Sequence, residues 1–116
     1  MRRLFVDVDD TLIHWLGRLD EESGEECWEV NQHVLDFVQW WPTAFDGGIV
    51  VVWSAGGKEY AKQWAERVMP EGFAYHTAEK KCFPATRDDA FIDNDPWPCF
   101  YKGEVAHPND LIGAVQ

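Results

Sequence analysis

Leu4-Phe5-Val6-Asp7-Val8-Asp9-Asp10-Thr11 sets a short apolar run directly against a group of acids. Two further stretches have the same form. Ile49-Val50-Val51-Val52-Trp53 is preceded by Gly47-Gly48 and ends in Ser54-Ala55-Gly56-Gly57, and Ala90-Phe91-Ile92 ends in Asp93-Asn94-Asp95. Runs this short and apolar on both faces suit strands of a parallel sheet that is covered by other elements. Phe73, Ala74 and Tyr75 suggest a fourth, weaker strand.

Helical patterns lie between these runs. Val30, Val34, Phe37, Val38 and Trp41 recur at spacings of three and four, with Pro42 behind them. Tyr60, Ala61, Trp64, Ala65 and Val68 repeat the pattern, which Pro70 closes. Alternating strands and helices predict a right-handed, Rossmann-like α/β sheet. Residues 18–29 are acidic and polar and read as a loop or small flap. The length, 116 residues, suits one domain spanning 1–116, and no internal repeat or linker interrupts it.

Ligands of open parallel sheets bind beyond the carboxyl ends of the strands. The polar ends of the three runs are therefore expected in one crevice. On an extended segment the spacing of Asp7 and Asp9 would aim both carboxylates the same way. Two neighbouring carboxylates repel, and a hard dication resolves the conflict. Asp93 adds an oxygen ligand, and magnesium accepts a few carboxylates, water and a substrate phosphate. Asp7 then reads as a nucleophile towards phosphorus and Asp9 as the general acid/base. Ser54, Ala55 and Gly56, ahead of a helix, form a phosphate cradle. Lys80 or Lys81 would bring an ammonium to the phosphate or the nucleophile.

The remaining features narrow the alternatives. A net charge of −11 disfavours nucleic acid and anionic membranes as partners. The acid-rich segment does not fit a calcium loop, whose sixth position needs glycine but here holds Leu12, and whose twelfth needs glutamate but holds Arg18. Cys27, Cys82 and Cys99 have no metal-ligand spacing and read as free thiols of a cytoplasmic protein. His14, His33, His76 and His107 are scattered. The start of the chain is too short in apolar residues for a signal or a membrane span.

Asp7, Asp9 and Thr11 in D-x-D-x-T, Ser54 in VVWSAGG, Lys80 or Lys81, and FIDNDP in turn resemble the four motifs of the haloacid-dehalogenase-like phosphatases. The resemblance covers residues 4–96 and extends to the small members without a cap, such as the carboxy-terminal-domain phosphatases. It implies a three-layer α/β sandwich with helices on both faces of the sheet, and Mg2+ at the strand ends. It also implies Asp7 as nucleophile and metal ligand, Asp9 as acid/base with its carbonyl on the metal, and Asp93 as metal ligand. Asn94 stands where many members carry a second acid, as it does in the carboxy-terminal-domain phosphatases. Asp95 is then the candidate to hold a metal-bound water.

The expected activity is hydrolysis of a phosphomonoester, either a small molecule or a phosphoprotein. A phosphotransferase would use the same groups, and a non-catalytic binding protein would keep only the fold. Dehalogenation is disfavoured, because it needs no acid at position 9. Residues 18–29, or a second subunit in a homo-oligomer, would cover the open site.

Overall fold

The computed structural model describes residues 2–80, 86–95 and 103–114. Strands β1 (Arg3–Asp7), β2 (Ile13–Leu19) and β3 (Glu26–Val30) come first, followed by helix α1 (Gln32–Ala44). Strand β4 (Ile49–Ser54), helix α2 (Lys58–Val68) and strands β5 (His76–Glu79), β6 (Ala90–Ile92) and β7 (Glu104–Ala106) complete the main elements, with a short 3-10 turn at Pro108–Leu111.

Five strands form one sheet in the order β5-β4-β1-β6-β7, with every pairing parallel. The three strongest apolar runs are its three central strands. Strand residues alternate between the two faces. Leu4, Val6, Val50, Val52, Ala90 and Ile92 pack with Val34, Val38 and Trp41 of α1 and with Ala61, Trp64 and Ala65 of α2 in one continuous core. Phe5, Val51, Trp53, Ala78 and Phe91 build a second cluster on the opposite face, where the Phe5 ring lies 4.6 Å from Trp53 and 5.1 Å from Phe91.

Both described helices therefore cover the same face. The expectation of helices on both faces is not met among the described residues. Two crossovers of one hand, stepping the same way from β1 to β4 to β5, leave their helices on one side of a sheet. The connection back to β6 includes residues 81–85, outside the described residues.

Three boundaries differ from the sequence reading. The fourth strand is His76–Glu79 rather than residues 73–75. Helix α1 continues through Pro42 to Ala44; a proline so near the carboxyl end removes one backbone donor and leaves the preceding turns intact. Most of residues 18–29 belongs to an antiparallel hairpin, β2–β3, which forms its own two-stranded sheet and pairs Trp15 with Trp28. None of the described helices is long and apolar enough to cross a membrane.

Candidate active site

β1 ends at Asp7, and the chain turns at once. The Val8 carbonyl accepts from the N–H groups of Thr11, Leu12 and Ile13, and Asp10 takes a left-handed conformation at φ 54°. Val8, Leu12 and Ile13 anchor the turn in the core. The expectation that Asp7 and Asp9 lie on one extended segment is thus corrected. Asp9 sits past the strand end, in an isolated bridge with Ile13. Both acids nevertheless line one cavity of about 230 Å³, together with Asp10, Ser54, Ala55, Gly56, Lys80, Asp93, Asn94 and Asp95.

The topology explains the convergence. β1 lies between β4 and β6, so the carboxyl ends of these parallel strands deliver Asp7, Ser54 and Asp93 side by side. Lys80 follows β5, which lies one strand beyond β4 in the sheet. Lys80 is only 4 % exposed, and its ammonium lies 3.4 Å from Asp7 Oδ1 and forms a close ion pair with Asp93. Of the two candidate lysines, Lys80 is thus in the site, and Lys81 lies outside the described residues.

Thr11 ties the first loop to the third. Its buried hydroxyl lies 3.3 Å from Asp7 Oδ2 and 3.2 Å from Asn94 Oδ1, and it accepts from the Asn94 N–H at 3.1 Å. It therefore holds the two acid-bearing loops in register. The Asp95 N–H donates to Asp93 Oδ1 at 2.9 Å, a turn that orients the Asp93 carboxylate.

At the second strand end the Ser54 hydroxyl accepts from the Gly56 N–H at 3.0 Å, which leaves its own proton to turn towards a ligand. Gly57 takes φ 112° at the start of α2, where no side chain caps the helix. Backbone N–H groups of the first turn are oriented towards an anion in such an arrangement.

Asp9 is held from two sides. The Tyr60 hydroxyl donates to Asp9 Oδ1 at 2.7 Å, and the Trp15 indole N–H donates to the same oxygen at 2.9 Å. Burial, then the Asp9 carboxylate, pushes the Tyr60 phenol above its usual range, so it stays protonated. Sequence reasoning assigned Tyr60 to the helix pattern and passed over Trp15. The available signal was the position of Tyr60 three residues after Gly57, in the first turn of a helix that opens at the site.

The chain matches no protein-family model and no curated protein. Its chemistry has to be argued from these side chains. Among the described residues that line the cavity are five aspartates, Asp7, Asp9, Asp10, Asp93 and Asp95, and one lysine, Lys80, whose ammonium meets Asp7 and Asp93. Burial, and then repulsion from Asp93, raises Asp7 from 3.8 to about 7 against the opposing pull of Lys80 and Thr11. Such a donor set gains from added positive charge. Among the described residues no group of three or more His, Cys, Asp or Glu side chains is disposed to hold a metal ion by itself. Magnesium characteristically takes one or two protein carboxylates and completes its shell with water and substrate oxygens, so Asp7 and Asp93 suit it.

Proposed function

We propose that the protein is a magnesium-dependent phosphomonoesterase of the haloacid-dehalogenase-like type, without a cap, that works through an aspartyl-phosphate on Asp7. The observation that carries this reading is the single cavity at the carboxyl ends of β1, β4 and β6. It combines a buried, lysine-paired carboxylate, a second carboxylate held by two donors, and a serine ahead of a glycine turn. A nucleophile, an acid/base and a phosphate cradle are the three parts that phosphoryl transfer requires.

Asp7 and Asp93, with the Asp9 carbonyl, would hold magnesium. Bound there, the ion supplies the charge that lets an anionic carboxylate approach a phosphate. The chain's own groups do the rest. The Ser54 hydroxyl and the N–H groups around Ala55 and Gly56 bind the phosphoryl oxygens. Lys80 keeps Asp7 and Asp93 together against their mutual repulsion.

An Asp7 oxygen attacks phosphorus, and the ester P–O bond breaks as Asp9 gives its proton to the departing oxygen. Asp9, now ionised, takes a proton from water as that water attacks phosphorus. The Asp7–phosphoryl bond breaks, inorganic phosphate leaves, and both carboxyl groups return to their starting states.

The test is turnover of p-nitrophenyl phosphate by the whole chain. Magnesium should be required, a chelator should abolish turnover reversibly, and Asp7→Asn should lower the rate by several orders of magnitude while the far-ultraviolet circular dichroism is unchanged. Full activity in chelator, or in Asp7→Asn, overturns the reading.

A further inference from the structure

We infer that Tyr60 and Trp15 are positioning residues that clamp Asp9 by Oδ1 and leave Oδ2 as the oxygen that exchanges a proton with substrate and water. This rests on the phosphatase reading and adds to it which oxygen works and what holds it.

Two donors on one oxygen define the carboxyl group's orientation. The indole N–H of Trp15 can only donate. A proton placed on Oδ1 would compete with the Trp15 N–H and would require the Tyr60 bond to reverse, whereas a proton on Oδ2 leaves Oδ1 as a carbonyl that accepts both bonds. The same two bonds also suit the ionised carboxylate. The clamp therefore fits both charge states that the reaction passes through, and neither needs the side chain to turn. The proton leaves Oδ2 for the departing alkoxide as the ester bond breaks, and Oδ2 takes one back from the attacking water.

The two donors come from elements that are themselves braced. Tyr60 lies in the first turn of α2, and a Cβ at Gly56 would stand 3.3 Å from its ring, so the glycine lets the phenol lie against the cradle. Trp15 lies on β2, and its ring meets the Trp64 ring edge-on at 5.3 Å. Trp28, opposite Trp15 in the hairpin, meets Trp64 at 4.8 Å. The hairpin is thereby fastened to α2 beside the acid it orients. A carboxyl group misplaced by about 1 Å can cost about a hundredfold in rate, so bracing of this kind has a catalytic use.

The experiment combines kinetics with a signal that needs no turnover. In 1H–15N spectra of 15N-labelled protein, the Trp15 indole resonance is assigned by its loss in Trp15→Phe. Asp9→Ala should move it to the position of an indole without a carboxylate partner. An unmoved resonance overturns the clamp.

In single-turnover kinetics, Tyr60→Phe should slow phosphorylation by an alkyl phosphate about tenfold to a hundredfold. An activated aryl phosphate, which needs little protonation, should lose less than about threefold, and KM for both should hold. In the Asp9→Asn background Tyr60→Phe should add nothing further. Equal losses on the two ester types, or additive losses with Asp9→Asn, would reduce Tyr60 to a packing residue and overturn the assignment. A wild-type chain inactive on every ester defeats the phosphatase reading itself, and the indole signal distinguishes that failure from a failure of the clamp.

Discussion

Asp7 carries two demands that conflict, and its surroundings show how. A nucleophile has to be ionised, yet burial and Asp93 raise its carboxyl from 3.8 to about 7. The folded protein therefore binds this proton more tightly than the unfolded chain does. The stability linked to Asp7 is complete below about pH 3.8 and is lost as pH rises towards 7. Metal-free protein should melt lower at pH 8 than at pH 5. The part of that difference due to Asp7, on the order of a few kcal/mol, should disappear in Asp7→Asn. Added magnesium should restore the wild-type melting temperature at pH 8 and do little at pH 5, because its ligands must be deprotonated. Scanning calorimetry of both proteins with and without chelator decides it, and a pH difference that Asp7→Asn leaves intact would assign the effect elsewhere. The sequence made this residue legible, because an acid at the end of an apolar strand has few purely structural uses. Its protonation state was not legible, because that depends on Lys80 and Asp93, which are distant in the chain and meet it only in the fold.

The elements were readable where hydrophobic periodicity was strong and misplaced where packing came from elsewhere. β1, β4 and β6 are buried on both faces and stand out in the chain. β5 is an edge strand with the polar sequence His76-Thr77-Ala78-Glu79, in which Ala78 alone is fully buried, so the more apolar residues 73–75 drew the assignment. The β2–β3 hairpin escaped for a similar reason. Its residues are mostly part-exposed, Gly17 interrupts β2, and beyond Ile13 and Val30 at its base its hold on the protein comes from Trp15 and Trp28 against Trp64. That hold makes a prediction. Trp64→Ala should lower stability by about 3–5 kcal/mol, the usual cost of deleting a buried tryptophan. It should also release the hairpin locally. Amide exchange over Ile13–Leu19 and Glu26–Val30 should accelerate more than exchange in β1 and β4, as measured by hydrogen exchange and mass spectrometry. Uniform acceleration across all strands would mean that the hairpin is not held at this point.

At the scale of the whole molecule, charge sets the terms on which a phosphate arrives. The chain carries −11, and its radius of gyration is 14.0 Å. At about 0.01 M ionic strength the screening length is about 30 Å, longer than this radius, so a phosphate dianion meets the repulsion of nearly all the charge. At about 0.15 M the length falls to about 8 Å, and only charges near the cavity still act. Those near charges are themselves mostly acidic, since Asp7, Asp9, Asp10, Asp93 and Asp95 line the cavity with Lys80, while the exposed hairpin acids Asp20, Glu21, Glu22 and Glu25 add to the long-range repulsion that salt removes. For small dianionic esters, kcat/KM at constant free magnesium should therefore rise as potassium chloride is raised from 0.01 to 0.15 M. The change should fall on KM and leave kcat nearly constant, since chemistry inside the cavity is screened little. An ester whose alcohol part carries a positive charge should show a weaker rise or none. Initial rates for a neutral-alcohol and a cationic-alcohol phosphate across the salt series would measure both slopes. A fall in kcat/KM for the dianion would mean that the positive charge at the cavity outweighs the acidic surface, and that the surface takes no part in choosing the substrate.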